Sequence, residues 1–500
     1  MKLGQWKRKK LKGTSKGFKN MSVEQSNLLE TDIEAYLKQH ENKELLRFIT
    51  CGSVDDGKST LIGRLLHDSK MIFEDQLAAI NKDSKKHGTT GETVDLALLV
   101  DGLQSEREQG ITIDVAYRYF ATDKRKFIIA DTPGHEQYTR NMATGASTAD
   151  LAIILIDARY GVQTQTRRHS YITRLLGIKH IVVAVNKMDI VDFSEERFNQ
   201  IKAEYTAFAK ELGITNPIFT PVSALTGDNV VNASENMPWF TGQPLMQLLD
   251  TIPLHDTTDL EHFRLPVQYV NRPNLDFRGF CGTIAAGTIQ TGDEITVLPS
   301  LKTSKVKQVI QPAVSVDEMV VETAFAPMAI TLTLEDEVDI SRGDMIVKSS
   351  DIPEVADQLE VMLVWMNEVP MHIGADYLIK RATNVTPGRF IQLDHKVDVN
   401  TLEQQPAKQL ELNEIGQCQL SLNQKISFDP YEKIKGTGSF IVIDKYTNAT
   451  LAAGMILGRS GLHAHVQTQK EYSAFEKDLN GLIRQHYPEW QCKSINDLLK

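Results

Sequence analysis

The segment with the clearest chemical signature is residues 52–59, Gly-Ser-Val-Asp-Asp-Gly-Lys-Ser, which matches the phosphate-loop pattern G-x-x-x-x-G-K-[ST]. Its glycines allow backbone N–H groups to turn inward around phosphate oxygens, and the start of a following helix adds positive potential. We expect the Lys58 ammonium to reach the β- and γ-phosphates of a nucleotide and the Ser59 hydroxyl to bind Mg²⁺. The predicted nucleotide contacts are Gly52, Ser53, Val54, Asp55, Asp56, Gly57, Lys58, Ser59 and Thr60.

Apolar runs on either side of this loop indicate the elements that hold it in place. Residues 45–51 precede the loop and predict a buried strand, and residues 60–66 follow it and predict a helix. Further runs that predict buried strands lie at residues 126–130, 151–157, 180–185 and 217–222. Open α/β sheets bind ligands at the carboxyl ends of their strands, so the motifs at these ends are expected to meet at the loop.

The strand at residues 126–130 ends in the motif Asp-Thr-Pro-Gly-His. We expect Asp131 to hold the Mg²⁺ shell and the Gly134 N–H to meet the γ-phosphate. His135 stands where a side chain that orients the attacking water is expected, since phosphoryl transfer depends mostly on positioning and charge neutralisation. The alternative for His135 is a helix cap. The predicted contacts of this motif are Asp131, Thr132, Pro133, Gly134 and His135.

Thr112 fits the mobile switch threonine of a GTPase. Its hydroxyl is expected to bind Mg²⁺ while its N–H touches the γ-phosphate, so that loss of this phosphate releases the segment. Gly110 supplies backbone freedom just before it. Residues 68–105 are largely polar and compatible with helix, which indicates an elaborated switch region. The predicted catalytic residues are Lys58, Thr112 and His135, and the predicted metal ligands are Ser59, Thr112 and Asp131.

Two later motifs predict which base is bound. Asp189 can accept hydrogen bonds from both the N1–H and the 2-amino group of guanine, whereas adenine would leave this carboxylate unpaired at a cost of about 1–3 kcal/mol or more. Asn186 is expected to face the N7/O6 side of the base, and the Ala224 N–H is expected to meet O6. The pattern therefore predicts GTP rather than ATP. The predicted base contacts are Asn186, Lys187, Met188, Asp189, Ser223, Ala224 and Leu225.

Two residues beside these motifs have plainer interpretations. Asp157, at the end of a predicted strand, is expected to end that strand without touching a ligand, although a ligand contact is the alternative. Cys51, beside the loop, is expected to be a small buried hydrophobe rather than a modifiable thiol. Isolated Asp-x-x-Gly and Asn-Lys-x-Asp sequences are also common turns, so it is their order at strand ends that indicates a GTPase.

Composition places the chain among globular proteins of several domains. The 500 residues are 41% hydrophobic and 24% charged, with a net charge of −10, so no nucleic-acid partner is expected. No apolar run approaches membrane-spanning length, so no membrane association is expected. The cysteines lie far apart, which argues against disulfides or a zinc site and fits the reducing cytoplasm. They are Cys51, Cys281, Cys418 and Cys492.

The pattern of periodicity predicts five segments along the chain. Residues 1–27 form a basic, flexible tail with eight Lys and Arg in its first 20 positions and no secretory signal; polyanion binding is the alternative, and Met21 is a second candidate start. Residues 28–255 form the phosphate-loop domain, which includes an N-terminal helix near residues 29–37. All-β barrels follow at residues 260–350 and 355–460, and residues 461–500 form a C-terminal extension with one more helix.

Short strands with turn residues between them indicate the two barrels. In the first, strands are predicted at residues 266–270, 283–286, 294–298 and 330–334, with Gly279, Gly282, Gly287 and Gly292 between strands. In the second, strands are predicted at residues 417–422 and 439–444. The predicted fold class is therefore an α/β P-loop GTPase domain followed by two all-β barrel domains.

This domain order resembles elongation factor Tu and the other translational GTPases. The His135 form of its motif supports that group over Ras-like proteins, but Ser53 stands where elongation factors usually carry histidine. Residues 52–66, together with the sequences at 412–416, 436–440 and 452–456, look like the GTPase subunits of bacterial sulfate adenylyltransferase. The resemblance covers roughly residues 28–490.

The resemblance implies that GTP hydrolysis drives the formation of adenylyl sulfate and pyrophosphate from ATP and sulfate. It also implies GTP and Mg²⁺ as cofactors, and a smaller partner subunit that carries the adenylyl-transfer site in a heterodimer or higher assembly. The chain lacks a Ser-Gly-Gly pyrophosphatase loop, a His-x-Gly-His motif and a second phosphate loop, so neither adenylyl transfer nor a fused kinase is expected. The alternatives are a carrier of aminoacyl-tRNA on the barrels and a signalling GTPase, which the barrels disfavour.

Overall fold

The computed structural model describes residues 43–69, 96, 112, 114–135, 138–253, 259–274, 277–311, 320–398, 401–461, 480 and 484. Several predicted features lie outside these residues, namely the basic tail, the helix at 29–37, most of the region between Ser69 and Thr112, and the last predicted helix. Within the described ranges, no helix is long and apolar enough to cross a membrane.

Six strands form the central sheet of the N-terminal α/β domain: β1 (Glu44–Cys51), β2 (Ala116–Ala121), β3 (Arg125–Asp131), β4 (Leu151–Asp157), β5 (His180–Asn186) and β6 (Ile218–Pro221). Their order in space is β2-β3-β1-β4-β5-β6, and β2, at one edge, is antiparallel to its neighbour. The other pairs are parallel. Because β1 lies between β3 and β4, the strand order reverses at β1, which is where such sheets bind ligands.

Helices cover both faces of this sheet: α1 (Lys58–Asp68), α2 (Thr139–Ser147), α3 (Thr164–Leu175), α4 (Glu195–Glu211) and α5 (Leu245–Thr251). Every residue of β4 is buried, as expected for a parallel strand that is covered on both faces. Alternate residues of β4 enter different cores, with Ile154 and Ile156 in one and Ile153 and Leu155 in the other. The two cores hold the sheet rigidly beneath the motifs.

The middle barrel follows the α/β domain, and its strands pair in antiparallel fashion. Its main sheet has the order β7-β16-β11-β12-β15-β9-β8, with β13 beside β12, and β10 pairs separately with β14. The strands are β7 (Arg264–Pro266), β8 (Tyr269–Asn271), β9 (Gly279–Thr283), β10 (Thr288–Gln290), β11 (Glu294–Leu298), β12 (Lys302–Ile310), β13 (Val320–Val321), β14 (Thr323–Phe325), β15 (Ala329–Leu334) and β16 (Met345–Lys348).

The C-terminal barrel is a closed ring, because β18 pairs with β19 in addition to the path β18-β22-β23-β17-β21-β19-β20. One short helix, α6 (Lys435–Gly438), precedes β22. The strands are β17 (Glu354–Trp365), β18 (Asp376–Arg381), β19 (Asn384–Val397), β20 (Gln404–Gln405), β21 (Ile415–Phe428), β22 (Ser439–Ile443) and β23 (Thr450–Arg459). The predicted fold class, an α/β domain followed by two all-β barrels, is confirmed.

Two strand predictions in the middle barrel were wrong. The strand predicted at residues 283–286 lies earlier, at β9, and the run at 266–270 is divided between β7 and β8. Gly279 and Gly282 lie inside β9 rather than between strands. A Cβ on Gly282 would lie 2.5 Å from the Pro266 carbonyl oxygen, so glycine is needed here for close packing inside the strand. Glycine was therefore misread as a turn residue.

Buried side chains of the C-terminal barrel contact both the α/β domain and the middle barrel. Four of its residues share an apolar core with the α/β domain: Val364, Ile415, Tyr431 and Met455. The Tyr431 hydroxyl donates a hydrogen bond to the Leu176 carbonyl at 3.0 Å. Toward the middle barrel, the buried Arg264 guanidinium makes two hydrogen bonds of 3.0 Å to the Asp429 carboxylate. The C-terminal barrel thus packs against both of the other domains.

Candidate nucleotide-binding site

The phosphate loop connects β1 to α1, as the sequence predicts. Gly57, directly before α1, has a φ of 89°, a left-handed conformation that favours glycine. A Cβ at this position would lie 2.5 Å from the Asn186 Nδ2. Gly57 therefore permits both the turn of the loop and the close approach of the base-recognition motif.

Lys58 is the first residue of α1, and its side chain is buried under the loop. The ammonium donates hydrogen bonds to the Ser53 carbonyl at 2.8 Å and to the Gly52 carbonyl at 3.2 Å. Burial lowers the pKa of Lys58 below its ordinary value, while Asp131 and Asp56 act in the opposite direction. The cation is thus fixed at the inner side of the loop, where phosphate oxygens are expected.

Two side chains hold the first N–H groups of the loop. The Gly52 N–H donates to the His169 Nδ1 at 3.1 Å, and the Ser53 N–H donates to the Asp56 Oδ2 at 2.5 Å. Burial, and then the nearby Lys58, lower the pKa of His169 to about 3, so its imidazole is neutral with the proton on Nε2. Sequence reasoning missed His169, because a single histidine on a helix such as α3 forms no recognisable motif.

The predicted metal ligands lie together at the ends of β3 and the loop. The Ser59 hydroxyl donates to the Asp131 Oδ2 at 3.1 Å, and the Ser59 and Thr112 hydroxyl oxygens are 3.5 Å apart. The second carboxylate oxygen of Asp131 accepts from the Thr50 hydroxyl at 3.1 Å. Hydroxyl and carboxylate oxygens are hard donors of the kind that Mg²⁺ prefers, so this donor set fits that ion.

The segment that follows Asp131 lies directly against the phosphate loop. A Cβ on Gly134 would lie 2.6 Å from the Lys58 Nζ and 2.8 Å from the Gly52 carbonyl oxygen, so only glycine fits at this distance. Pro133 is buried and the Thr132 hydroxyl donates to the Thr50 carbonyl at 2.6 Å. The close packing brings this motif to the place where a γ-phosphate is expected.

His135 is exposed beside this contact. The alternative for this residue was a helix cap. Helix α2 begins after Tyr138, whose own side chain makes no capping hydrogen bond. The arrangement leaves the imidazole at the solvent side of the loop, and its role toward water stays a prediction.

The base-recognition motifs are joined to the phosphate loop by Asn186. Its Nδ2 donates to the Asp56 carbonyl at 2.8 Å, and its Oδ1 accepts from the Ala224 N–H at 2.9 Å. The Ala224 N–H was predicted to meet guanine O6, but here it is engaged inside the protein. A bond to guanine therefore requires Ala224 to share or exchange this partner. Met188 also connects the two motifs, since its N–H donates to the Val222 carbonyl at 3.2 Å.

The Lys187 side chain connects the base-recognition motif to the phosphate loop. Its backbone is left-handed, with a φ of 64°, and its ammonium donates to the Asp55 carbonyl. The ammonium also lies 3.1 Å from the Asp157 Oδ2. Asp157 is paired with Arg159 as well, at 2.7 Å, and this hydrogen bonding holds the pKa of Asp157 below its ordinary value despite its burial. Asp157 thus anchors side chains of the site, and whether it also touches a ligand stays a prediction.

Asp189 differs from its neighbours because one of its carboxylate oxygens, Oδ1, is buried without a hydrogen-bond partner in the described part of the chain. The residue lies in a short 3₁₀ helix, Met188–Val191. Leaving a buried charged acceptor unpaired costs more than the roughly 1–3 kcal/mol of a neutral group. The geometry therefore fits a ligand that presents N–H donors, as guanine does.

Cys51 is fully buried at the end of β1. Burial raises the pKa of its thiol to about 12, so the reactive thiolate does not form near neutral pH. This agrees with the interpretation of Cys51 as a small buried hydrophobe.

A separate groove of about 770 Å³ lies along α4 and contains none of the predicted nucleotide contacts. Polar and aromatic residues line it together, including Lys202 and Lys210. The aromatic residues that line it are Phe198, Phe219, Trp239 and Phe240. The nucleotide motifs instead lie at the carboxyl ends of the strands of the α/β domain.

Comparison with known proteins agrees with this architecture. The family described as "Elongation factor Tu GTP binding domain" matches residues 43–256, and the family "GTP-eEF1A C-terminal domain-like" matches residues 358–457. Three proteins named "Sulfate adenylyltransferase subunit 1" are similar over nearly the whole chain. The relative from Aliarcobacter butzleri is 66% identical and covers 94% of this chain and 99% of its own length. The relative from a Sulfurovum species is 62% identical, with coverage of 93% and 98%.

The third relative, from Saccharophagus degradans, is 60% identical and covers 95% of this chain and 99% of its own length. None of these names favours a carrier of aminoacyl-tRNA. The first family match assigns a GTP-binding domain to the residues that form the phosphate loop and the base motifs. The chain therefore belongs to the sulfate adenylyltransferase subunit 1 family, whose N-terminal domain is of the elongation factor Tu GTP-binding type.

Proposed function

We propose that this chain hydrolyses GTP as a subunit of sulfate adenylyltransferase, and that the hydrolysis drives synthesis of adenylyl sulfate and pyrophosphate from ATP and sulfate. The observation that carries the choice of GTP is the buried, unpaired Oδ1 of Asp189, which lies in a motif joined to the phosphate loop through Asn186. Family membership supports the link to sulfate activation.

The phosphates bind between the loop and the segment around Gly134. The Lys58 ammonium neutralises the β- and γ-phosphates, while the backbone N–H groups at the start of α1 surround the β-phosphate. The Gly134 N–H contacts the γ-phosphate from the opposite side. The close contact of Gly134 with Lys58 supports this placement, since both must lie against the same phosphate.

The metal ligands are the hydroxyls of Ser59 and Thr112 and the carboxylate of Asp131. When bound there, Mg²⁺ supplies charge neutralisation for the β- and γ-phosphate oxygens. The hydroxyl of Thr112 connects this site to the switch region, so loss of the γ-phosphate releases that region. The 3.1 and 3.5 Å separations of the hydroxyl and carboxylate oxygens support a common ligand.

His135 positions the attacking water against the γ-phosphate. Its position next to Gly134, at the solvent side of the loop, supports this role. Phosphoryl transfer requires little covalent help from the protein, so orientation of the water and neutralisation of charge provide most of the rate.

The chemistry of the product calls for an additional source of free energy. The anhydride between sulfate and phosphate is a high-energy linkage, so its synthesis from ATP is driven by an additional hydrolysis. A smaller subunit that carries the adenylyl-transfer site performs that step in a cytoplasmic heterodimer or higher assembly. The name "subunit 1" of the relatives supports the presence of such a partner.

The test is GTP hydrolysis by the chain purified together with its co-eluting partner, with and without ATP plus sulfate. We expect clear stimulation when both are added, and no stimulation by either alone. A sample that binds GTP and contains a stoichiometric partner, yet does not respond, would contradict the proposal. Specific binding of aminoacyl-tRNA by the same sample would then favour the carrier alternative.

A further inference from the structure

The phosphate loop contains a buried carboxylate, that of Asp56, which the proposed mechanism does not use. The side chain is 4% exposed and lies behind the loop. Its Oδ2 accepts the Ser53 N–H at 2.5 Å, and a Cβ on Gly52 would lie 2.9 Å from the same oxygen. The carboxylate is therefore fixed inside the turn that surrounds the phosphates.

Charged groups from three elements surround this carboxylate. Lys58, on α1, and Lys187, after β5, attract its negative charge, and Asp157, at the end of β4, repels it. The imidazole of His169, on α3, is neutral and bonds to the neighbouring Gly52 N–H. Burial is the main cause that raises the pKa of Asp56, to about 6, so the group is mostly ionised at neutral pH.

An anion in this position repels the phosphates of the nucleotide that the loop binds. A nucleoside triphosphate brings several negative charges to the front of the loop, and in a partly buried site such charges interact strongly. Lys58 must then neutralise both the phosphates that it is expected to contact and Asp56, whose charge interacts with its ammonium. The hydrogen bond to Ser53 explains an acceptor at residue 56, but a neutral amide would supply that acceptor equally well.

We propose that Asp56 limits how tightly the loop retains nucleotides: its carboxylate fixes the loop through Ser53, while its charge opposes the phosphates and speeds GDP release. This inference rests on the proposed GTP binding. Faster GDP release raises the turnover rate, since a GTPase that drives a metabolic reaction must exchange GDP for GTP in every cycle.

The test is the substitution Asp56→Asn in the full chain with its partner. Asparagine keeps an oxygen acceptor for the Ser53 N–H and removes the charge. We expect GDP and GTP to bind about tenfold more tightly, mainly through slower dissociation, measured by displacement of a fluorescent GDP analogue. A purely structural role predicts unchanged affinity, because asparagine retains the hydrogen bond to the Ser53 N–H.

The pH dependence gives an independent readout. Protonation of Asp56 removes its charge, so in the wild-type protein GDP dissociation slows as the pH falls from 7.5 toward 5.5. The titration of the nucleotide phosphates is common to both proteins, so the difference between wild type and Asp56→Asn reports on residue 56. We expect the two rates to converge at pH 5.5 and to separate at pH 7.5.

Asp192→Asn is the matched comparison, because it removes an equal charge from a residue of the same domain that is not among the predicted nucleotide contacts. Asp192 is exposed and has a φ of 52°, a conformation that asparagine tolerates. Solvent screens its charge, so we expect a change in affinity of less than about threefold. A change equal to that of Asp56→Asn would overturn the assignment to the buried carboxylate.

Unchanged or weaker nucleotide binding by Asp56→Asn, with the wild-type pH profile retained, would also overturn the inference. Absence of GTP binding by the wild-type protein is a different result. It would contradict the proposed function itself, so the two failures are distinguishable.

Discussion

The phosphate side and the base side of the site satisfy their polar groups differently. On the phosphate side, Lys58 donates to two loop carbonyls, and Asp56 accepts an N–H of the same loop. On the base side, Asn186 is bonded at both ends of its amide, but Asp189 keeps a buried oxygen without a partner in the described residues. The charged groups of the phosphate side have partners within the protein, and its unpaired buried atom in the described residues is the neutral Ser53 hydroxyl oxygen, whereas the base side leaves a carboxylate oxygen unpaired.

This difference indicates what each part of a nucleotide contributes. The phosphates must share partners that the loop already has, so their binding depends on charge and is sensitive to small changes around Lys58. The base supplies the donors that Asp189 lacks, so it determines which nucleotide is accepted. Affinity and selectivity are thus expected to respond to different residues, and four substitutions test that separation.

Lys58→Met is expected to have the largest effect, a loss of GTP affinity of about 10³-fold. Removing one partner of a buried, hydrogen-bonded charge contact typically costs 2–5 kcal/mol. The loss should be smaller for GDP, because GDP has the β-phosphate but lacks the γ-phosphate that Lys58 also contacts. Titration calorimetry with both nucleotides measures it, and Lys202→Met, on the exposed side of α4, is the control that should bind normally. Retained binding by Lys58→Met would contradict its placement at the phosphates.

His135→Ala is expected to lower the rate of GTP hydrolysis by about 10²-fold while the dissociation constant changes by less than about threefold. The reason is that a side chain that orients water acts on the reaction rather than on the bound ground state. Single-turnover hydrolysis and equilibrium binding separate the two quantities. Equal loss of both would assign His135 a structural role.

Asp189→Asn tests whether the base side of the site determines which nucleotide is bound. We expect GTP affinity to fall about 30-fold and xanthosine triphosphate to become the preferred nucleotide, since an amide can donate to the 2-oxo group of xanthine. Competition between the two nucleotides measures the change. An unchanged guanine preference would remove the role assigned to this residue.

His169→Leu is expected to have the smallest effect, a five- to tenfold loss of affinity for GTP and GDP alike. The substitution leaves the buried Gly52 N–H without an acceptor, which costs about 1–3 kcal/mol and loosens the loop. His169→Asn, whose amide oxygen replaces Nδ1, should restore most of the affinity. Because burial lowers the pKa of His169 to about 3, neither variant should alter the pH dependence between pH 5 and 8. Failure of His169→Asn to bind better than His169→Leu would show that this hydrogen bond is unimportant.

Much of the architecture could be predicted because the parallel sheet has a strong local signal. The run at residues 151–157 became β4 with the same bounds, since burial on both faces requires a continuous apolar stretch. In the barrels the signal is weaker. Gly279 and Gly282 lie inside β9 because of neighbours that are distant in sequence, such as Thr331 and Pro266, and no local pattern reports such contacts.

The candidate site shows the same limit. Motif spacing predicted which residues meet, and the structure brings Ser59, Thr112 and Asp131 together. Motifs could not predict the contacts behind the loop. His169 arrives there from a helix far along the chain, and Ala224 bonds to Asn186 because the two loops pack together. Such contacts depend on tertiary structure, whereas the motifs depend on local spacing.

The bond between Tyr431 and Leu176 bears on whether the N-terminal domain can be transplanted. Tyr431, Val364, Ile415 and Met455 complete an apolar core that otherwise belongs to the α/β domain. A fragment that ends near residue 256 would expose this surface to water, and exposed apolar patches promote association. A chimera that takes its GTP binding from this chain would therefore have to include the C-terminal barrel, or replace the apolar side chains of the α/β domain that those four residues cover with polar ones.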